Sequence, residues 1–357
     1  MEEHKDLLGM LDLMARPGFC VKENQIIKVN QAAQGYFLSP GMAVDALLAT
    51  GKDEYAEFSC GCLYLSLSLS GKVLGASVTR MQDVDIFLID QESDHTELQA
   101  MALAARELRG PLSSVMATAG RLFPQVLSQE DTQAQDQVAR MNRGLFQMLR
   151  ILGNMADAER YSTASRQETV AINRELEEIF RKAGDLVAQT GIQLTYTLPD
   201  RSIYCLADRE QLERAVLNML SNAVKFTPAG GTIEASLNCR GRMLRISIQD
   251  SGAGMEESVR ANVFRRYLRN LTIEDSRYGI GLGMALIRSA AANHGGTVLI
   301  DQNAGKGTRI TMTMAIRENT DTVLRSPITR IDYAGGYDHM LLELSDSLPA
   351  GIYKKEI

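Results

Sequence analysis

Long hydrophobic runs, paired cysteines and an excess of basic charge are all missing from this 357-residue sequence. No stretch approaches the ~18–20 uninterrupted apolar residues of a membrane-spanning helix, and the opening letters MEEHKDLLGM are acidic where a signal peptide is basic. The net charge of −6 argues against a nucleic-acid binder that works through a broad basic surface. These absences predict a cytoplasmic protein with no transmembrane segment and no nucleic-acid partner.

The five cysteines are scattered and contain no zinc-like pair of CxxC units. Cys60 and Cys62 flank a single glycine, so they are either two strand thiols or a metal or redox pair, and strand thiols are the more ordinary interpretation. Hydrophobic residues make up 45% and charged residues 23%, which is a normal globular balance. A chain of this length is expected to hold two or three domains.

The first ~90 residues are predicted to form short strands separated by turns. Residues 19–21 and 26–29 flank a polar turn as in a hairpin, and residues 63–69 alternate apolar and small polar side chains with period two. Strands are also expected over 72–79 and 84–89. This pattern predicts a small α+β sensor-like domain.

The next segment changes to steps of three and four, which is the pattern of a coiled coil. Pro111 lies inside the first helix and is expected to kink it. An acidic loop follows Phe123 and Pro124 and separates this seam from the second one. Two such helices bury their apolar faces best as four helices from two chains, so the segment predicts a homodimer through residues 95–160. The first seam consists of Leu98, Met101, Ala105, Leu108, Leu112, Val115, Ala119 and Leu122, and the second of Val138, Met141, Leu145, Met148, Leu152 and Met155.

The third segment mixes helix and strand patterns. Asp208, followed by Gln211 three residues later, predicts an N-cap and capping box at the start of a helix that runs to about residue 226. Asn218, Asn222 and Lys225 lie at i, i+4 and i+7 on that helix and therefore share one face. Amide oxygens suit Mg²⁺ and a lysine can pair with phosphate, although a solvated polar face is the alternative.

Glycines cluster at two further points of this segment. Asp250 ends a predicted strand and is followed by Gly252 and Gly254, so its carboxylate could accept a hydrogen bond from an exocyclic amine such as that of adenine; an ordinary turn is the alternative. Gly279, Gly281 and Gly283 open a helix, where free backbone N–H groups can face phosphates. The turn 305–308 places the Thr308 hydroxyl within reach of a base pocket, and residues 263–269 combine an apolar anchor with a basic lid.

Taken in order, these motifs resemble the ATP-binding domain of sensor histidine kinases, with its Bergerat fold, and the stretch ADREQLERAVLNMLSNAVKFTPAGG is particularly close. The resemblance implies ATP and Mg²⁺ as cofactors. It also implies that Asn222 holds Mg²⁺ with Asn218 beside it, and that Lys225 contacts phosphate. By the same resemblance, Phe226 packs near the base, and Asp250 binds the adenine amine with Gly252, Gly254 and Thr308 around it. The lid hinge and phosphate cradle are implied to consist of Gly279, Gly281, Leu282 and Gly283.

The resemblance extends over most of the chain. It implies an α+β protein with a PAS-like sensor domain (1–91), a dimeric helical hairpin that forms a four-helix bundle (92–162), an α/β-sandwich ATP-binding domain (163–317) and a C-terminal extension without an assigned role (318–357). The sensor part rests on a resemblance of residues 11–33. No flavin-attaching cysteine motif or haem-binding histidine is evident there.

The phosphoacceptor histidine of the family is absent. The stretch ARELRGPL resembles the family's acceptor box, and Arg106 stands at the histidine position. A guanidinium stays protonated and has no free lone pair with which to attack a phosphoryl group. Glu107, which would assist the acceptor, is retained, whereas Gly110 replaces a Thr or Asn that orients water in many members. His95 is either a displaced acceptor or, more ordinarily, a linker histidine near a helix start, and His294 matches a structural His-Gly-Gly.

Three functions are therefore compatible with the sequence. The first is a kinase that phosphorylates a partner's histidine or its own at an unusual position, and the second is a degenerate ATP-binding regulator or scaffold. The third is another ATPase of the superfamily, against which the two heptad helices argue. Candidate partners are a response-regulator receiver domain and a partner kinase.

Overall fold

Helices and strands alternate along the chain of the computed structural model much as the hydrophobic pattern indicates. The structure describes residues 9, 11–12, 14–81, 83–91, 93–128, 131–163, 166–255, 263–264, 282–301, 307–317 and 334–355. Among the described residues, no helix has the length and apolar character needed to cross a membrane. The architecture is α+β.

An antiparallel sheet forms the N-terminal part. Its strands are β1 (Gly18–Lys22), β2 (Gln25–Val29), β3 (Cys62–Leu69), β4 (Lys72–Met81) and β5 (Val84–Ile89), in the order β2-β1-β5-β4-β3, and a short helix α1 spans Lys52–Glu57. Glu23 and Asn24 both have positive φ in the turn between β1 and β2, as a tight hairpin turn requires. Phe19 stacks on Phe87 at 4.7 Å and Tyr55 meets Phe87 edge-on, so aromatic rings fill the interior of this sheet.

Two long helices follow, α2 (Ser93–Leu127) and α3 (Thr132–Thr163), and pack as a hairpin. Helix α2 continues through Pro111 and Pro124 to Leu127. Each seam divides into two rows. Ala105, Leu112 and Ala119 with Val138, Leu145 and Leu152 are buried, whereas Leu108, Val115 and Leu122 with Met141 and Met148 are about half exposed.

The third part combines a sheet with helices packed on it. The strands are β6 (Glu168–Ala171), β7 (Gln193–Thr197), β8 (Tyr204–Ala207), β9 (Thr232–Arg240), β10 (Met243–Asp250), β11 (Val298–Asp301) and β12 (Arg309–Ala315), and the helices are α4 (Ile172–Ala188), α5 (Arg209–Phe226) and α6 (Leu282–Asn293). The main sheet here has the order β11-β12-β10-β9-β7, and β6 pairs separately with β8. Strand β10 buries every second side chain, because one face packs against the helices.

The two sheets join edge to edge. Strand β3 pairs antiparallel with β11, and Tyr64 lies opposite Val298. The Arg288 guanidinium of α6 lies 4.6 Å from the Tyr64 ring centre, and the Tyr64 hydroxyl donates to Asp90 at 2.8 Å. Arg288 also donates to the Phe264 carbonyl at 2.9 Å. The N-terminal sheet is thus in direct contact with the anchor of the segment that the sequence interprets as a lid.

The C-terminal segment 334–355 is part of the main hydrophobic core. It contains helix α7 (His339–Glu343) and a 3-10 helix over Ala350–Lys355. Its buried side chains are Met340, Leu341, Leu342, Leu344, Leu348 and Tyr353, and they pack with residues of α3 and α5. The sequence showed no strong period here, because a segment that fills a groove between two helices alternates too irregularly to show one.

Candidate functional site

Helix α5 carries the predicted site residues, and its N-terminus is fixed by α6. The Asp208 carboxylate caps the helix by accepting from the Gln211 N–H at 3.1 Å, as the sequence predicted. The reciprocal half of the predicted capping box does not form. Instead, the Asp208 N–H donates to His294 Nε2 at 2.9 Å, and the Gln211 side chain bonds the Asp208 carboxylate at 3.1 Å.

His294 therefore ties the end of α6 to the start of α5. Its Nδ1 lies 2.6 Å from the Ala290 carbonyl, so the proton resides on Nδ1 and Nε2 is the acceptor. Burial lowers the pKa of this imidazole below its ordinary value, which keeps the ring in the neutral form that the two bonds require. The structural interpretation of His294 agrees with these contacts.

The amide row of α5, which consists of Asn218 and Asn222, faces the beginning of α6. Asn218 is buried, whereas Asn222 and Lys225 are partly exposed. A Cβ at Gly283 would lie 2.8 Å from Asn218 Oδ1, so only glycine lets α6 approach this closely. Asn222 Nδ2 lies 3.9 Å from the Met284 sulfur. The predicted residues Asn218, Asn222 and Gly283 thus meet on one surface.

Asp250 marks the other end of this surface. Its Oδ1 accepts from the Gly252 N–H at 2.8 Å and from the Thr308 N–H at 3.2 Å. Among the described residues no donor bonds Oδ2, and burial raises the pKa of the carboxyl above its ordinary value. A Cβ at Gly252 would lie 2.3 Å from the Phe226 carbonyl, and one at Gly307 would lie 1.8 Å from the Asp250 carbonyl. Glycines therefore shape the space around the carboxylate.

Other predicted site residues are placed less fully. Leu282 is buried as the first residue of α6, and Gly254 has a positive φ of 80°. Gly279 and Gly281 lie outside the described residues. The structure therefore groups the residues at the two ends of the surface but does not describe the loop predicted to cover it.

The stretch that resembles the acceptor box lies on α2. Arg106 and Glu107 are exposed, and a Cβ at Gly110 meets nothing within 4 Å. Packing within the described chain therefore does not require glycine at position 110. His95 is on the first turns of α2, and its side chain is outside the described residues. Cys60 is exposed and Cys62 is buried on β3.

Three charged residues beside Asn218 were missed from the sequence. Arg150 of α3 donates to Asn218 Oδ1 at 3.2 Å, and Glu343 of α7 lies 3.5 Å from Asn218 Nδ2. Arg214 lies one turn before Asn218 on the same face of α5, so the i, i+4 spacing could have revealed it. Arg150 and Glu343 are brought in from distant segments, and no local pattern marks them.

The donor set limits how a metal could bind. Within the described ranges, no group of three or more His, Cys, Asp and Glu side chains could hold an ion. Mg²⁺ commonly takes one or two protein ligands and completes its shell with water and substrate phosphates. An amide oxygen of Asn222 beside a bound nucleotide fits that mode.

Comparison with known proteins matches residues 207–318 to the family described as histidine kinase-, DNA gyrase B- and HSP90-like ATPases. Sensor histidine kinase RppB of Synechocystis sp. is 28% identical over 233 residues, which cover 63% of this chain and 50% of RppB. Sensor histidine kinase WalK of Bacillus subtilis is 26% identical over 243 residues, which cover 65% of this chain and 38% of WalK. The chain thus spans half or less of the length of these relatives.

Among solved structures, the crystal structure of full-length ShkA in complex with AMPPNP matches 62% of this chain and 47% of that one. The sequence identity is 22% and the TM-score is 0.48.

Proposed function

We propose that this chain, which belongs to the sensor histidine kinase family, binds ATP with Mg²⁺ on the surface of α5 and does not phosphorylate itself at position 106. The observation that carries the proposal is the buried Asp250 carboxylate, whose Oδ1 accepts from the Gly252 and Thr308 N–H groups while closely packed glycines keep side chains away from it. These bonds fix the carboxylate in place, and it can accept a further hydrogen bond through Oδ2, for which an exocyclic adenine amine is a suitable donor.

The remaining roles are assigned by the position of each residue along the surface, starting from Asp250. Asp250 with Gly252, Gly254 and Thr308 would hold the base, and Phe226 would pack beside it. The phosphates would then run along α5, where Asn222 would contribute an oxygen to Mg²⁺ and Lys225 a positive charge. Mg²⁺ would neutralise phosphate charge when bound. The lid predicted over residues 263–269, with its hinge at Gly279 and Gly281, lies largely outside the described residues and stays a prediction.

Arg106 rules out the usual acceptor chemistry. Phosphorylation of a histidine requires an imidazole nitrogen with a free lone pair, and a guanidinium offers none. The ATP site, by contrast, retains its glycines and its carboxylate. We therefore favour a regulator that uses ATP binding, with transfer of phosphate to a partner's histidine as the second candidate.

We propose further that the chain works as a homodimer through α2 and α3. Leu108, Val115 and Leu122 form an exposed row at seven-residue spacing on α2, and Met141 and Met148 do the same on α3. The complementary rows are already buried inside the hairpin. A second copy would cover the exposed rows and close a four-helix core.

Two experiments test these proposals. Calorimetric titration with ATP and Mg²⁺ should give saturable binding that is weakened about 10- to 150-fold in Asp250→Asn, and failure to bind any adenine nucleotide would contradict the site assignment. Labelling with γ-labelled ATP should leave the unaltered chain unlabelled and label Arg106→His. Acid-labile label in the unaltered chain that disappears in His95→Ala would instead identify a relocated acceptor and a self-phosphorylating kinase.

A further inference from the structure

The C-terminal segment is seated against the hairpin and the ATP-binding domain at once. The Asn142 amide of α3 donates to the Tyr353 carbonyl at 2.8 Å, and the Tyr353 hydroxyl donates to the Leu341 carbonyl at 2.8 Å. On the other side, the Ser347 hydroxyl donates to the Ser221 carbonyl of α5 at 2.9 Å. The segment therefore bridges α3 and the helix that carries the amide row.

This bridge places one carboxylate at the phosphate end of the proposed site. Glu343 is fully buried, and it accepts from Arg214 Nε at 2.9 Å and from Arg150 Nε at 3.3 Å. Asn218 Nδ2 lies 3.5 Å from the same carboxylate. Each arginine keeps a second acidic partner, which is Asp346 for Arg150, at 2.6 Å, and Asp157 for Arg214.

A guanidinium binds carboxylate and phosphate oxygens with the same fork of donors. Two buried arginines and a buried asparagine that converge on one carboxylate therefore form a receptor for any anion of that size. Asn218 belongs to the amide row, one helical turn from Asn222, and so joins this receptor to the place proposed for the nucleotide phosphates.

We propose that the terminal phosphate of the nucleotide and the Glu343 carboxylate compete for Arg150, Arg214 and Asn218, so that the C-terminal segment occupies part of the ATP site until a triphosphate displaces it. The inference rests on the proposed nucleotide function. It makes Arg150 of the hairpin a phosphate-specificity residue, and it couples release of segment 334–355 to binding of ATP. Adenosine, which has no phosphate, leaves the segment docked.

The first test uses the unaltered full chain. Amide hydrogen exchange over residues 334–355 is followed without nucleotide, with adenosine, with ADP and with ATP, each with Mg²⁺. ATP should accelerate exchange in α7 more than ADP does, and adenosine should leave it unchanged. If saturating ATP leaves exchange unchanged or slows it, the competition does not occur.

The second test compares affinities of Glu343→Gln. Removing the charge should tighten ATP binding by about 5- to 150-fold, the usual range for coupled sites, and leave adenosine binding within twofold. Glu54→Gln, which neutralises a buried glutamate in the N-terminal domain, is the matched control and should change neither affinity.

The outcomes separate the two proposals. Equal ATP affinity in the unaltered chain and Glu343→Gln would overturn the competition and leave the ATP site standing. Absence of nucleotide binding in every variant would overturn the proposed function itself. A variant that does not fold removes only the second test, since the exchange measurement needs no substitution.

Discussion

Truncating one exposed leucine of the hairpin should weaken dimerisation strongly. Leu108 is 53% exposed on α2 and belongs to the row with Val115 and Leu122. Leu108→Ala removes about three carbon groups worth ~0.8 kcal/mol each when fully buried, and about half of that burial remains to be gained in the dimer. The loss is about 1.2 kcal/mol per chain.

A two-fold dimer counts this loss twice. The total of about 2.4 kcal/mol corresponds to an increase of about 50-fold in the dissociation constant. Leu103→Ala is the matched control, because Leu103 is 60% exposed on the same helix but lies five residues away from Leu108, on another face. It should change the constant less than threefold.

The dissociation constant can be measured by subunit exchange between two fluorescently labelled populations at nanomolar to micromolar concentration. Equal effects of the two substitutions would refute the assignment of the interface to the row through Leu108. A monomer at micromolar concentration in the unaltered chain would refute the dimer altogether.

Three further outcomes are expected. Because burial raises the pKa of Asp250 and the adenine amine bonds its ionised form, ATP affinity measured by calorimetry should fall as the pH drops through that raised pKa. Asp250→Asn should lower the ATP affinity by about 10- to 150-fold at neutral pH. Unchanged affinity would contradict the role. Gly110→Ala should raise the free energy of unfolding in urea by about 0.5–1 kcal/mol, since its Cβ has room; destabilisation would show a constraint outside the described chain. Burial lowers the pKa of His294, so its contribution to the free energy of unfolding should be fully present above about pH 6.5 and should decline as the pH falls toward the folded-state pKa. An unchanged pH dependence of stability in His294→Gln would exclude this cause.

Most of the secondary structure could be predicted because it follows from local periods. The step of three and four identified both hairpin helices, and the cap residue Asp208 identified the start of α5. The nucleotide motifs could also be identified from the sequence, because Asn218, Asn222 and Asp250 are recognised by their residue types and their spacing. The assignment of Gly279 and Gly281 stays a prediction.

The C-terminal segment could not be predicted, because it is stabilised by partners almost 200 residues away. Arg150 and Glu343 are 193 positions apart and meet only when α3, α5 and α7 pack together. The same holds for the bond from Asp208 to His294, which replaces half of the capping box. Such contacts depend on how helices are placed in space, which no local period encodes.

The amino-acid sequence alone predicted heptad helices, the motifs of an ATP-binding domain and an arginine at the position that resembles the family's acceptor, because each depends on residue type and short-range spacing. The tertiary structure decided which half of each seam stays exposed, since Leu112 is buried while Leu108 is 53% exposed. It also decided that β3 extends the sheet through β11 and that Glu343 reaches Asn218. These features arise where segments that are distant in the sequence pack together, because a polar group buried between them must find its partner in the other segment.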